Sequence, residues 1–284
     1  MSPAPHTLLI RLEAFRQSWG NRSPYNDRDT LTRPTKSGVI GLLAAADGHD
    51  RDEHREHGAD FLPLADLASL RFGVRADRPG HLTCDFQTSG GGPYPLRPRD
   101  VITDPARADR AATQLATAQG PAFGRITTPH LADWYSAPKN IAPHRDTHTL
   151  HATNNRRHPQ ISRRWYLADA AFLAAVESTD KALLRRLAHR LDNPRRLLWL
   201  GRKHCAPTQP PFHGLRPGTL EQTLASTPLL PRSSPGPTPA WVEVAPHTPG
   251  ATATNDQPVS YATHNRARAV RWEQRLSLTP PELP

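Results

Sequence analysis

The chain has 284 residues, with 36 Lys and Arg against 26 Asp and Glu, 31 Pro, 17 Gly and two Cys, and a formal charge of +10. That length allows one large domain or two small ones, no run approaches the ~18 apolar residues of a spanning helix, and no basic-then-apolar leader opens the sequence, so a soluble cytoplasmic protein is expected. Cys84 and Cys205 cannot build a disulfide framework or a four-cysteine zinc site, and the arginine-dominated positive charge points to a polyanionic partner, above all nucleic acid.

Residues 6–14 alternate, with Leu8, Ile10, Leu12 and Ala14 on one side and Leu9, Arg11 and Glu13 on the other, which predicts a first strand. A polar stretch leads to Ser37 as the expected cap of a helix over 39–46, apolar on nearly every side and closed by Gly48. Pro63 opens a short helix carrying Leu64, Leu67 and Ala68. Residues 70–76 alternate as a second strand, and 82–88 make a third, paired to it across the 77–80 turn.

From 89 to 160 the pattern breaks into Gly, Pro, His and Arg, with a helical turn expected at 111–118; so long an irregular stretch is unusual inside a compact domain. Order resumes with a strand over 163–176 and an amphipathic helix over 179–193, where Leu183, Leu184, Leu187 and Leu191 share a face. A short apolar strand is expected at 197–200. Residues 216–258 read as an extended Pro-rich excursion with one strand at 241–244. The final strand, 266–278, sets Val270, Trp272, Leu276 and Leu278 against Arg271, Glu273 and Arg275. The order, stripped of insertions, is the split βαβ of ferredoxin-like and RRM domains, an α+β class.

Three segments carry candidate chemistry. Arg33, Thr35, Lys36, Ser37 and Gly38 lead into a helix, whose N-terminal amides favour anions; the alternative is an ordinary capped helix. Gly201, Arg202 and Lys203 follow an expected strand end. Gln17, Ser18 and Trp19 supply polar groups and an indole able to stack on a base, or a core tryptophan. Arg28 and Arg164 complete the expected RNA-binding set. His144, His148 and His151 suggest acid–base chemistry, but no helical spacing fixes them. No catalytic group, metal or cofactor is expected.

These motifs together resemble the CasD family of the type I-E CRISPR Cascade, among the RAMP-type Cas proteins. The resemblance rests on Gln17-Ser18-Trp19-Gly20, on Arg33 to Leu43, on Asp85-Phe86-Gln87-Thr88, on Trp165 to Ala170, on Leu200-Gly201-Arg202-Lys203-His204-Cys205-Ala206-Pro207 and on Trp272. Gln87 stands where the family segment has a histidine, and Ala206 separates Cys205 from Pro207. The resemblance implies a ferredoxin-like palm (1–88 and 161–284), a thumb-like insertion (89–160) and the Pro-rich excursion (216–258) before the C-terminal strand. It implies a non-enzymatic subunit that holds the 5′ handle of CRISPR RNA beside the CasC backbone subunit and the large subunit CasA, and meets target DNA only through the complex. One alternative is a metal-independent endoribonuclease that processes precursor RNA, as in the type I-C relative, with Tyr25 and the insertion histidines as its candidates. The other is a stand-alone RNA-binding module.

Overall fold

The computed structural model describes residues 4–20, 26–49, 60–89, 141–143, 150–152 and 160–282. The helical turn expected at 111–118, Tyr25, His144 and His148 lie outside them. The chain divides into two units, Met1–Asp85 with Arg163–Pro284, and Phe86–Ser162. Within the second, β5 (Ile141–Pro143) pairs antiparallel with β6 (Leu150–Ala152).

The first unit is built on a nine-stranded sheet. Its strands are β1 (His6–Gln17), β2 (Asp27–Arg28), β3 (Arg71–Arg78), β4 (His81–Ser89), β7 (Gln160–Ser178), β8 (Phe212–Pro217), β9 (Thr238–Val244), β10 (Thr252–Ser260) and β11 (Ala267–Leu278). The helices are α1 (Lys36–Asp47), α2 (Leu64–Ser69), α3 (Lys181–Asp192) and α4 (Leu220–Ser226). The strand order is β10-β11-β9-β3-β7-β1-β8, and both β2 and β4 also pair with β7.

Alternation in the central strands sorts side chains onto two faces. Leu8, Ile10 and Leu12 of β1, Phe72 and Val74 of β3, and Phe172, Ala174 and Val176 of β7 form the main core with Val39, Ile40 and Leu43 of α1 and Leu184, Leu187 and Leu191 of α3. Leu9, Ala171, Leu173 and Ala175 face the other way and meet Leu220 and Leu224 of α4. The stretch of β7 from Ala170 to Val176 is therefore apolar on both faces, as a central strand buried on each side should be.

Several expectations are corrected. β4 pairs with β7, not with β3, so β3 and β4 succeed one another along a single 19-residue strand and do not form a hairpin. The cap of α1 is Thr35, whose hydroxyl accepts from the Gly38 amide; α3 is capped by Asp180. Residues 197–200 form no strand. Cys84 and Cys205, both expected from the sequence as small buried residues, differ: Cys84 is exposed and Cys205 is buried.

The Pro-rich stretch, expected to be extended, contains α4, β9 and β10. The signal for α4 was present: Thr219 and Gln222 make a reciprocal capping box of the S/T-x-x-E/Q type. Arg75, fully buried, closes the other end of that helix. It donates to the Leu224, Thr227 and Pro228 carbonyls and pairs with Asp77, so two of the carbonyls that a helix end leaves unsatisfied, Leu224 and Thr227, are taken up.

In β11 the expected faces are exchanged at one end. Val270 is 59% exposed, while Arg271 and Glu273 are buried. Arg271 holds Asp256 (Nε–Oδ1 2.6 Å, Nη2–Oδ2 3.1 Å) and Glu273 (2.8 Å), and Glu273 also receives Arg33. A charge is buried here because its partners are buried with it.

Candidate nucleic-acid interface

Three motifs far apart in sequence lock into one junction. The Ser18 amide donates to Leu200 O (3.0 Å), the Trp19 amide to Thr30 Oγ1 (2.8 Å) and the Leu31 amide to Trp19 O (3.4 Å). Two glycines make the approach possible. Gly201 has φ +100°, and a Cβ there would overlap Ser18 O; a Cβ on Gly38 would lie 2.9 Å from the Trp19 ring. The Gly201 segment thus crosses the backbone at Ser18, and Gly38 admits the Trp19 indole.

Above this junction opens a cleft of about 400 Å³. Ser18 and Trp19 line it from the segment after β1, Thr35, Ser37 and Gly38 from the start of α1, and Gly201 and Arg202 from the loop after α3. Arg28, Arg196, Arg266 and Arg268 add four further guanidinium groups, and Asp29 is the single carboxylate among the described lining residues. Trp199, Leu197 and Tyr261 contribute aromatic and apolar surface. A cationic groove with interleaved aromatic rings suits a single-stranded polyanion.

Arg202 is a fixed strut in that wall. It donates to Trp165 O (3.1 Å), Arg28 O (3.0 Å) and Asp29 O (3.3 Å), and its guanidinium lies 4.5 Å from the Tyr166 ring centre. It thereby ties β2 to β7, where Arg28 stands opposite Arg164 in parallel register. Arg28 itself is exposed. Tyr261 donates to Ser37 O (2.5 Å), and burial pushes its phenol upward, so it remains a neutral donor. The Cys205 thiol is also pushed up, chiefly by burial, which removes it as a nucleophile.

Other expected site residues are structural or lie outside the cleft. Gln17 is buried and structural: its amide donates to Leu12 O (2.9 Å) and Ala170 O (2.8 Å) and accepts from the Trp19 indole (3.0 Å). Trp19, 3% exposed, belongs to the core and offers no face to a base. Lys203 is exposed on the turn after Arg202.

Arg33 and Lys36, expected to meet phosphate, are turned inward. Lys36 is 1% exposed and its ammonium bonds both oxygens of Glu243 (3.0 and 2.8 Å). Burial lowers its pKa, and Glu243 opposes that shift. Arg33 pairs with Glu273 and lies 4.6 Å from the Trp241 ring centre. The helix N-terminus is also occupied: the Lys36 amide donates to Asp256 (2.8 Å) and the Gly38 amide to Thr35 Oγ1 (3.1 Å). An internal carboxylate stands where an external anion was expected.

Sequence reasoning missed Arg196, Arg266, Arg268 and Tyr261. The available signal was Asn265-Arg266-Ala267-Arg268, two arginines where the turn after β10 passes into β11. Among the described residues, no group of three His, Cys, Asp or Glu is arranged to hold a metal ion.

Comparison with known proteins places this geometry in context. A family model described as CRISPR-associated protein, Cas5, matches residues 7–273. The CRISPR system Cascade subunit CasD of Escherichia coli (strain K12) is 28% identical over 211 residues, which cover 73% of this chain and 70% of that protein. A crystal structure of a Cas protein superposes with TM-score 0.61 at 31% identity, covering 98% of this chain and 99% of the other. A chain of a CRISPR RNA-guided surveillance complex superposes with TM-score 0.60 at 26% identity, covering 97% and 91%.

Proposed function

We propose, from the premise that this chain belongs to the Cas5 family of CRISPR-associated proteins, that it holds the 5′ handle of CRISPR RNA as a non-catalytic subunit of a Cascade surveillance complex. The observation that carries this reading is the cleft. Ser18, Thr35, Ser37, Gly38, Gly201 and Arg202, singled out from separate motifs, converge there with Arg28, Arg196, Arg266 and Arg268.

The sub-order β8-β1-β7-β3, with α1 after β1 and α3 after β7, supports a ferredoxin-like palm of the RAMP type. β8 takes the place in that plan expected for 197–200. The unit Phe86–Ser162 supports the reading of the insertion as a thumb, which we assign to contact with CasC, and CasA is the proposed neighbour at the foot of the complex. Target DNA is met through those subunits. Arg164, beside Arg28 in register, and exposed Lys203 are assigned to the RNA path outside the cleft. No described acid–base pair favours the endoribonuclease alternative.

The test is binding of repeat-derived RNA across a salt series. Arg28→Ala should lower affinity and flatten the log–log slope by about 0.7 for one single-strand phosphate contact, with the fold intact by circular dichroism. An unchanged slope, or discrete cleavage of the RNA by purified protein, overturns the proposal.

A further inference from the structure

A second hollow lies around the exposed end of β1. It encloses about 540 Å³ and is lined by Arg11, Glu13, Phe15, Asp169, Gln209 and Arg232, among others. Among the described residues it shares none of its lining with the arginine cleft. Phe15 is 86% exposed, although β1 is an inner strand of the sheet. Its neighbours pair regularly with β7, Ala14 with Ala170 and Arg16 with Ala168, which sets Phe15 opposite Asp169.

Two of the three non-glycine residues with positive φ among those described, Asp169 (+52°) and Arg232 (+63°), stand in this one hollow. Such backbone persists where surroundings over-determine it, and it concentrates at ligand sites. Here the surroundings are ionic. Glu13, 7% exposed, accepts from Arg78 and Arg232 (3.0 Å each), and Asp169 pairs with the same two arginines (3.3 and 3.7 Å). The loop after Cys205 forms the opposite wall, held by Thr208 N–H and Oγ1 donating to Glu13 O (2.9 and 3.1 Å). Arg11 Nε is buried there without a hydrogen-bond partner.

We propose that this hollow takes one unpaired nucleotide of a single-stranded nucleic acid, its base stacked on Phe15 and its phosphate met by Arg232. The chemistry favours a nucleotide over a protein partner. Among the described residues, Phe15 is the only large apolar side chain lining the hollow, and a solitary ring beside cations suits a base better than the clustered anchors of a protein interface. Gln209 offers an amide to the base edge. Arg11 and Arg232 line the hollow with Glu13 and Asp169, and Arg78, outside the lining, pairs with both carboxylates, so the cluster as a whole holds one more arginine than carboxylates, in a chain at +10.

The experiment uses full-length protein and tetranucleotides carrying 5-iodouracil, one RNA and one DNA, with photo-cross-links mapped by mass spectrometry and affinities read by anisotropy. An adduct on Phe15 is expected, and the RNA and DNA arms tell which strand it serves. Phe15→Ala should lower tetranucleotide affinity about 5- to 100-fold, the size of one base–aromatic stack; Phe15→Trp should restore it. Arg232→Gln should flatten the salt slope by about 0.7. Adducts confined to cleft residues, or wild-type affinity in Phe15→Ala, overturn the proposal. So does a Phe15→Ala protein that keeps the tetranucleotide but loses association with another subunit, which assigns the face to protein. Arg28→Ala, which tests the cleft, should leave the Phe15 adduct in place.

Discussion

Replacing Lys36 by methionine decides between the two roles that its position suggests. Methionine keeps most of the buried aliphatic stem and removes the ammonium that bonds both Glu243 oxygens at 2.8 and 3.0 Å. Breaking a buried pair leaves the surviving charge uncompensated, at a cost of roughly 3–5 kcal/mol. Glu243 is 20% exposed and still accepts the Phe72 amide at 3.0 Å, so water and one donor remain to it. The lower end, about 3 kcal/mol, is expected. At a urea m-value of about 3 kcal/mol/M the midpoint then falls by roughly 1 M. Adding Glu243→Gln removes the stranded charge and should bring stability back to within about 1 kcal/mol of the parent, because replacing both partners of a buried pair is close to neutral. The salt slope of RNA binding should not move in either variant. A loss below about 1 kcal/mol, combined with a slope flattened by about 0.7, would refute the reasoning and return Lys36 to the phosphate path.

Gly201→Ala should lose at least about 2 kcal/mol, because φ +100° opposes any Cβ and that Cβ would overlap Ser18 O; chemical denaturation measures it. Thr35→Ala removes the side-chain cap of α1 and should cost about 1 kcal/mol without altering the RNA salt slope. Burial, and then Arg11 and Arg216, hold the His213 pKa below its ordinary 6.5. The unfolded chain then binds the proton more readily, so stability falls as pH drops through 6.5, by at most about 1.4 kcal/mol per pH unit for this proton; His213→Gln should lessen the decline measured between pH 7 and 5. Leu187→Ala, fully buried in the main core, should cost about 2–5 kcal/mol.

The elements with strict periodicity were legible in the residues themselves. β1, β3 and α3 follow from spacings of two and of three to four, and α1, apolar around its circumference, could only be a buried helix. Gly38 and Gly201 stood out as motif glycines, and what each admits is tertiary: the Trp19 indole at Gly38 and the Ser18 backbone at Gly201. Other features depend on partners too far along the chain for any local pattern to encode. Lys36 reads like a phosphate ligand until Glu243, 207 residues on, takes its charge. Arg271 and Glu273 read as the wet side of β11 until Asp256 and Arg33 are folded against them. Arg266 and Arg268 enter the cleft because the β10–β11 turn is carried to the mouth of α1. Hydrophobic periodicity reports burial of a face, and that is set locally. The pairing of charges is set by which strands become neighbours, and an arginine is a surface residue or a buried strut according to whether a carboxylate arrives.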